Sequence, residues 1–277
     1  MLNHLIIENK LNKNAKKIAQ IGFIYQEIAT RMINRLDYIK LKPDIILDIG
    51  YGLGIDSNEL LKKYSNSIVY EVDIAINMLK LYRQKQNLFK KLFNRRNYQI
   101  CANGLNLPIL SQSINLVWSN LVIPYINDIE GFFKEIRRVL KVGGAFLVAG
   151  LGVDSLQQLR EVGLNTYNFP DMHLIGDILV KLGFSNPVTD IDYITLEYDN
   201  FEQLLIDIRL MGCGAIINKS HLSKANYRDL ANKFAKITRN GKTPLTLEIF
   251  YAHAWKDKVI LDLVEDKKLI QFYPSKR

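Results

Sequence analysis

Short apolar bursts alternate with stretches whose apolar positions recur every three or four residues. Ile45–Ile49, Ser67–Asp73, Tyr98–Ala102 and Ile114–Asn120 read as strands, and Gly144–Ala149 as a fifth that follows a Gly143–Gly144 turn. Between them, Asp56–Tyr64, Ile74–Lys80 and Ile129–Leu140 read as helices, the last with Phe132, Phe133, Ile136, Val139 and Leu140 along one side. Such alternation predicts an α/β domain in which a parallel sheet is covered by helices on both faces. The second half changes rhythm. Asp171–Leu182 is helical and closed by Gly183, whereas Asn186–Tyr198 and Leu245–Trp255 are long strand-like runs. Phe201–Asn240 lies between them as a helical insertion, and Asp154–Phe169 forms a shorter one.

The first burst carries the candidate chemistry. In Ile45-Ile46-Leu47-Asp48-Ile49-Gly50-Tyr51-Gly52-Leu53-Gly54 a strand runs into three glycines spaced two apart, and a helix follows. Glycine supplies positive φ and lets another group approach the backbone. A strand–loop–helix of this kind opens a crevice at the carboxyl end of an α/β sheet. The spacing differs from the G-x-G-x-x-G of dinucleotide binders, and no Lys-Ser/Thr follows as in a P-loop. Asp48 precedes the loop, and Asp73 closes the next strand.

With an acid on either side of a glycine loop, the chain resembles the class I S-adenosylmethionine-dependent methyltransferases. That resemblance implies a Rossmann-like sheet of seven strands, the last two an antiparallel hairpin, with S-adenosylmethionine as cofactor. It places Asp48, Gly50, Tyr51, Gly52 and Gly54 at the cofactor's loop and gives both ribose hydroxyls to Asp73, followed by Ile74. Asn103, Gly104 and Leu105 stand at the adenine, and Ser119 and Asn120 at the end of the fourth strand. Asp73 reads equally as the N-cap of the next helix, and Asn103 as an ordinary turn residue.

A narrower resemblance covers nearly the whole chain. Glu27–Met32, Trp118-Ser119-Asn120-Leu121, Asp171–Asp177, Asp192–Leu196 and Pro244–Glu248 through Tyr251–Trp255 are similar to the malonyl-acyl-carrier-protein O-methyltransferases of biotin synthesis, the BioC family. This implies methyl transfer to the free carboxylate of a malonyl thioester on an acidic acyl carrier protein. One methyltransferase domain then spans 1–277, with an N-terminal helical segment over 1–40 and cap insertions at 154–169 and 201–240. Arg209 and Arg160, one in each insertion, are the candidates for holding the second carboxylate oxygen, and Tyr125 joins them on the acceptor side. The chain departs from the family's pattern at several places. Tyr51 and Leu53 are bulky in the glycine loop, and Pro124-Tyr125 stands where Gln-Trp is usual. Ile206 stands where Arg often sits, and the Tyr and Asp of the N-terminal segment are replaced around Ile18-Ala19. A methyltransferase for another small carboxylic acid, or a catalytically weak binding or assembly protein, therefore stand as alternatives.

Composition narrows the classes further. The 277 residues are 48% hydrophobic, enough for a large core, yet no apolar run is long enough to span a bilayer. The amino terminus lacks a signal-peptide pattern, and two cysteines, Cys101 and Cys213, suit neither a disulfide framework nor a zinc site; a cytoplasmic setting is expected. The net charge of +9 gathers in Lys80–Arg96 and Lys219–Lys242, which predicts attraction to an acidic partner. Nucleic acid is disfavoured because Ser119-Asn120-Leu121-Val122 lacks the Asn/Asp-Pro-Pro-aromatic motif of amino methylases.

Overall fold

The apolar bursts pair with one another in a single sheet. In the computed structural model, which describes residues 4–85, 96–163, 166–213 and 224–257, two helices come first, α1 (His4–Ile18) and α2 (Gly22–Arg35). Then follow β1 (Ile45–Ile49), α3 (Ile55–Lys63), β2 (Ile68–Asp73), α4 (Ile76–Lys85), β3 (Asn97–Cys101) and β4 (Ile114–Asn120). A short 3-10 turn (Ile123–Tyr125) leads to α5 (Ile129–Val139), β5 (Leu140–Leu151), α6 (Gln157–Glu161) and α7 (Met172–Lys181). The chain continues through β6 (Ser185–Tyr198), α8 (Phe201–Leu210), α9 (Lys224–Ile237) and β7 (Thr243–Lys256).

The seven strands lie in the order β3-β2-β1-β4-β5-β7-β6. The first five are parallel, and β7 enters antiparallel between β5 and β6. Strand order reverses between β1 and β4, which splays their following loops apart and leaves a crevice there. The expected hairpin is present, with β6 and β7 paired from Ser185 opposite Trp255 to Tyr198 opposite Thr243.

Side chains alternate between two apolar layers. Along β4 and β5, Leu116, Trp118, Ala145, Leu147 and Ala149 face the layer that also holds Ile24 and Ile28 of α2, Leu60 of α3 and Leu204 of α8. Val117, Phe146 and Val148 face the opposite layer, with Phe132, Phe133 and Ile136 of α5 and Ile175 and Leu179 of α7. These central strands are thus apolar on both sides, as parallel strands between helix layers must be. The α5 helix begins at Asp128, whose side chain accepts from the Gly131 amide at 2.8 Å.

The turn expected at Gly143–Gly144 is not a turn. The strand starts at Leu140 and runs through both glycines, with a register shift against β4 between Ile114 and Leu116. Gly143 takes φ +80°, and a Cβ on Gly144 would lie 2.9 Å from the Lys141 carbonyl oxygen. The glycines therefore absorb an irregularity inside the strand, where backbone comes too close for a side chain. Among the described residues no helix is long and apolar enough to cross a membrane.

Candidate functional site

The three glycines of the first loop all adopt positive φ: Gly50 at 84°, Gly52 at 52° and Gly54 at 71°. The Gly50 and Tyr51 amides both donate to the Val72 carbonyl, at 2.8 and 3.0 Å, so the loop is tied to β2 as it leaves β1. A Cβ on Gly50 would lie 2.0 Å from Cγ2 of Val122, which descends from the end of β4. Glycine is required there by both backbone and neighbour. Tyr51 is bulky but points inward, with 1% of its surface exposed. Leu53 packs over α2, its Cδ1 being 3.2 Å from where a Gly22 Cβ would stand. Neither closes the crevice; both line its wall.

Asp73 ends β2 at the lip of this cavity. Its Oδ2 accepts from the Gly52 amide at 2.9 Å and its Oδ1 from the Ala75 amide at 2.8 Å. It is thus a loop anchor and an N-terminal helix partner at once, and each oxygen keeps a lone pair for a further donor. Burial pushes its pKa up to about 6, against the pull of the two amides. Ile74, Asn103 and Gly104 complete this end of the wall. Asn103 Oδ1 accepts from the Leu105 amide at 3.0 Å, so the side chain builds the turn while it lines the cavity. Leu105 contributes that amide and is not in the wall, and a Cβ on Gly104 would meet Phe132 at 3.1 Å.

Asp48 stands behind the loop rather than in the cavity. It is 1% exposed, accepts from Ser57 Oγ at 2.7 Å, and is held well above the usual carboxylate range by burial and by the nearby Asp56. Asp56, one residue into α3, is the acid that faces the cavity. Its Oδ1 accepts from Trp118 Nε1 at 2.7 Å and from Asn120 Nδ2 at 3.1 Å, and burial pushes its pKa up to about 6. Asn120 also donates to the Tyr25 carbonyl at 3.3 Å, while its Oδ1 is buried without a partner. Ser119 is fully buried beside it and outside the wall. Sequence periodicity gave no signal for Asp56, which looks like any acid in a first helical turn.

Cover comes from the amino terminus. Ile7, Leu11 and Ile18 of α1 and Tyr25 of α2 line the cavity, and Asn12 fixes α1 to α4 by accepting from the Asn77 amide at 2.9 Å. Tyr125, at the end of the turn after β4, lines the cavity as well. The two arginine candidates lie elsewhere. Arg160 donates to the Ser155 and Val153 carbonyls at 2.7 and 3.1 Å and to Thr166 Oγ1 at 3.2 Å, which binds its own loop together. That loop is stitched to β7 through Gln158 and Thr246 (2.7 Å) and through the Asp154 amide and Glu248 (2.9 Å). Arg209 sits half-buried on α8, outside the wall. Of the basic stretches, Lys90, Lys91, Arg95 and Lys219 lie outside the described residues, and Lys80 and Arg96 are exposed.

This wall fits S-adenosylmethionine. A carboxylate with spare lone pairs suits a ribose, the left-handed loop gives close backbone approach, and the orphaned Asn120 Oδ1 is an acceptor awaiting an ammonium or hydroxyl donor. Fold and site together define a class I S-adenosylmethionine-dependent methyltransferase. The family described as a methyltransferase domain matches residues 47–148, and the chain superimposes on a phosphoethanolamine N-methyltransferase of Haemonchus contortus solved with S-adenosyl-L-methionine. That likeness has a TM-score of 0.60 at 17% identity, covering 93% of this chain and 61% of the other. Sequence relatives are nearer. The malonyl-[acyl-carrier protein] O-methyltransferase of Gallionella capsiferriformans is 36% identical over 270 residues, covering 92% of this chain and 93% of its own. That of Methylovorus is 36% identical over 263 residues, covering 91% and 89%. The chain belongs to the malonyl-[acyl-carrier protein] O-methyltransferase family.

Proposed function

We propose that this protein transfers the methyl group of S-adenosylmethionine to the free carboxylate of a malonyl thioester carried on acyl carrier protein, an early step of biotin synthesis. The relatives named for that activity match along nearly their whole length. The observation in the site that carries the reading is the absence of a catalytic base. Among the described residues the wall holds no histidine, lysine or cysteine, and its two carboxylates, Asp56 and Asp73, are each engaged by two donors. An amine or phenol acceptor would have to lose a proton there. A malonyl carboxylate is ionised at neutral pH and is already a nucleophile.

The cofactor supplies an electrophilic methyl on a positively charged sulfur. The protein's part is positional. Asp73 and the Gly50–Gly54 loop would hold the cofactor, and Asp56 and Asn120 would offer polar groups to its cationic portion. The apolar faces of Ile7, Leu11 and Ile18 keep water out. Orientation of two reactants in a dry cleft supplies much of the acceleration for such a displacement. The reading is tested with methyl-labelled cofactor and three acceptors: malonyl carrier, unacylated carrier and free malonate. Label on malonyl carrier alone is the expected result. Equal label on malonate assigns a small free acid as substrate, and no label on any acceptor assigns a binding or assembly role.

A further inference from the structure

The same wall poses a problem for a carboxylate acceptor. Among its described residues there is no arginine or lysine, and Arg160 is committed to its own loop. An anion brought into this cavity must find neutral donors. Two candidates stand together on the far side of the glycine loop. Sheet order runs from the Asn103–Gly104 turn after β3, past Asp73 on β2 and the loop after β1, to β4 and its following turn. Tyr125 ends that turn, and Tyr25 reaches it from α2. With the adenine at the Asn103–Gly104 turn and the ribose at Asp73, the pair would lie at the other end of the cavity, where the cofactor's methyl group would be presented.

The two phenols line the same cavity, and their hydroxyls are close enough for each to affect the other's proton affinity. The Tyr125 hydroxyl also lies 3.4 Å from the carbonyl of Leu210, the last residue of α8, and a Cβ on Gly212 would be 2.5 Å from the Tyr125 ring. Hence Tyr125 is clamped by the end of the cap, while Tyr25 is not. Burial pushes both pKa values up, so both hydroxyls keep their protons at any working pH. Counting those protons is informative. If Tyr125 donates to Leu210 and Tyr25 to Tyr125, both are used internally. The contact with Leu210 is long and weak, however. With an anion present, Tyr125 turns its proton to Tyr25, and Tyr25 turns its own outward. A phenol–carboxylate bond is charge-assisted, and the second phenol strengthens it.

We infer that the Tyr25 hydroxyl, oriented by Tyr125, holds the non-reacting oxygen of the acceptor carboxylate and takes the place of an arginine clamp. The assignment rests on the carboxylate-acceptor reading above. It makes Tyr25 a substrate-contacting residue and Tyr125 a positioning residue, and it ties acceptor binding to the seating of α8.

Tyr25→Phe and Tyr125→Phe keep ring and packing and remove one hydroxyl each. With malonyl thioester as acceptor, Tyr25→Phe is expected to raise the Michaelis constant about tenfold or more, the loss of one hydrogen bond to a charged group. Cofactor affinity by calorimetry should stay within about twofold of wild type, and Tyr125→Phe should raise the acceptor constant less. A neutral competitor, the malonamide thioester, should inhibit wild type and Tyr25→Phe equally, because the phenol is assigned to the anion. An unchanged acceptor constant in Tyr25→Phe overturns the assignment, as does a loss confined to cofactor affinity. A wild-type chain that neither binds nor methylates malonyl thioester overturns the function reading, and this assignment with it.

Discussion

Substitution of Gly50 by alanine probes the joint on which the cavity depends. Two costs are visible. At φ +84° an L-residue pays about 1–2 kcal/mol for the left-handed conformation. The added methyl would also lie 2.0 Å from Val122 Cγ2, and ordinary contact begins near 3.4 Å. Val122 opens the turn that carries Tyr125 and cannot retreat without moving it, so overpacking adds about 1–3 kcal/mol. Gly50→Ala should therefore lose about 2–5 kcal/mol of stability and weaken cofactor binding. Val122→Ala removes the offending methyl, leaving its Cβ 3.5 Å from the new group. On its own it should cost about 1 kcal/mol for the partly buried methyls. The double variant should retain the backbone cost but not the clash, so the two changes couple favourably by about 1–3 kcal/mol. Urea denaturation of all four proteins gives the cycle, and calorimetry on the folded ones follows cofactor affinity. Costs that add to within about 0.5 kcal/mol would refute a steric joint between loop and turn.

Other outcomes follow from the same geometry. Asp73→Ala orphans the Gly52 and Ala75 amides and removes the ribose acceptor, so cofactor affinity measured by calorimetry should fall by about 1–3 kcal/mol. Cofactor affinity should also fall about tenfold from pH 7 to pH 5, because Asp73 must be ionised to accept from hydroxyls and protonates near 6. The stability of the free protein should move the other way. Asp73 and Asp56 hold protons in the native state that the unfolded chain releases between 3.8 and about 6, so stability declines as pH rises through that window. A melting series without cofactor checks that sign. Arg160→Met should lower thermal stability by loosening the Val153–Thr166 loop while leaving the acceptor's Michaelis constant unchanged, which enzyme kinetics will show.

Much of this was readable from local pattern. The alternation of bursts and amphipathic stretches follows from burial between helix layers, and the glycine loop follows from a backbone need that only glycine meets. Asp73 was readable because both of its roles are local: it ends a strand and starts a helix. What escaped depends on distant partners. Asp56 becomes a wall residue only because Trp118 and Asn120 arrive from β4, 62 and 64 residues on. Tyr25 sits in an ordinary amphipathic helix, and its significance appears only when Tyr125 lies across from it. Gly143–Gly144 carries the signature of a turn, and only the register against β4 makes it a strand irregularity. The charge of Arg160 and its place in an insertion suggest an acceptor site, but three local oxygen acceptors engage its guanidinium.

The chemical identity of the product tests the central claim most directly. After reaction of the full chain with S-adenosylmethionine and malonyl carrier, intact mass spectrometry of the carrier is followed by mild base. A methyl group on a carboxylate oxygen adds one CH₂ unit to the malonyl carrier and is released as methanol on saponification, which is the predicted result. A methyl group that survives base, or a carrier whose mass does not change while the cofactor stays intact, would contradict it.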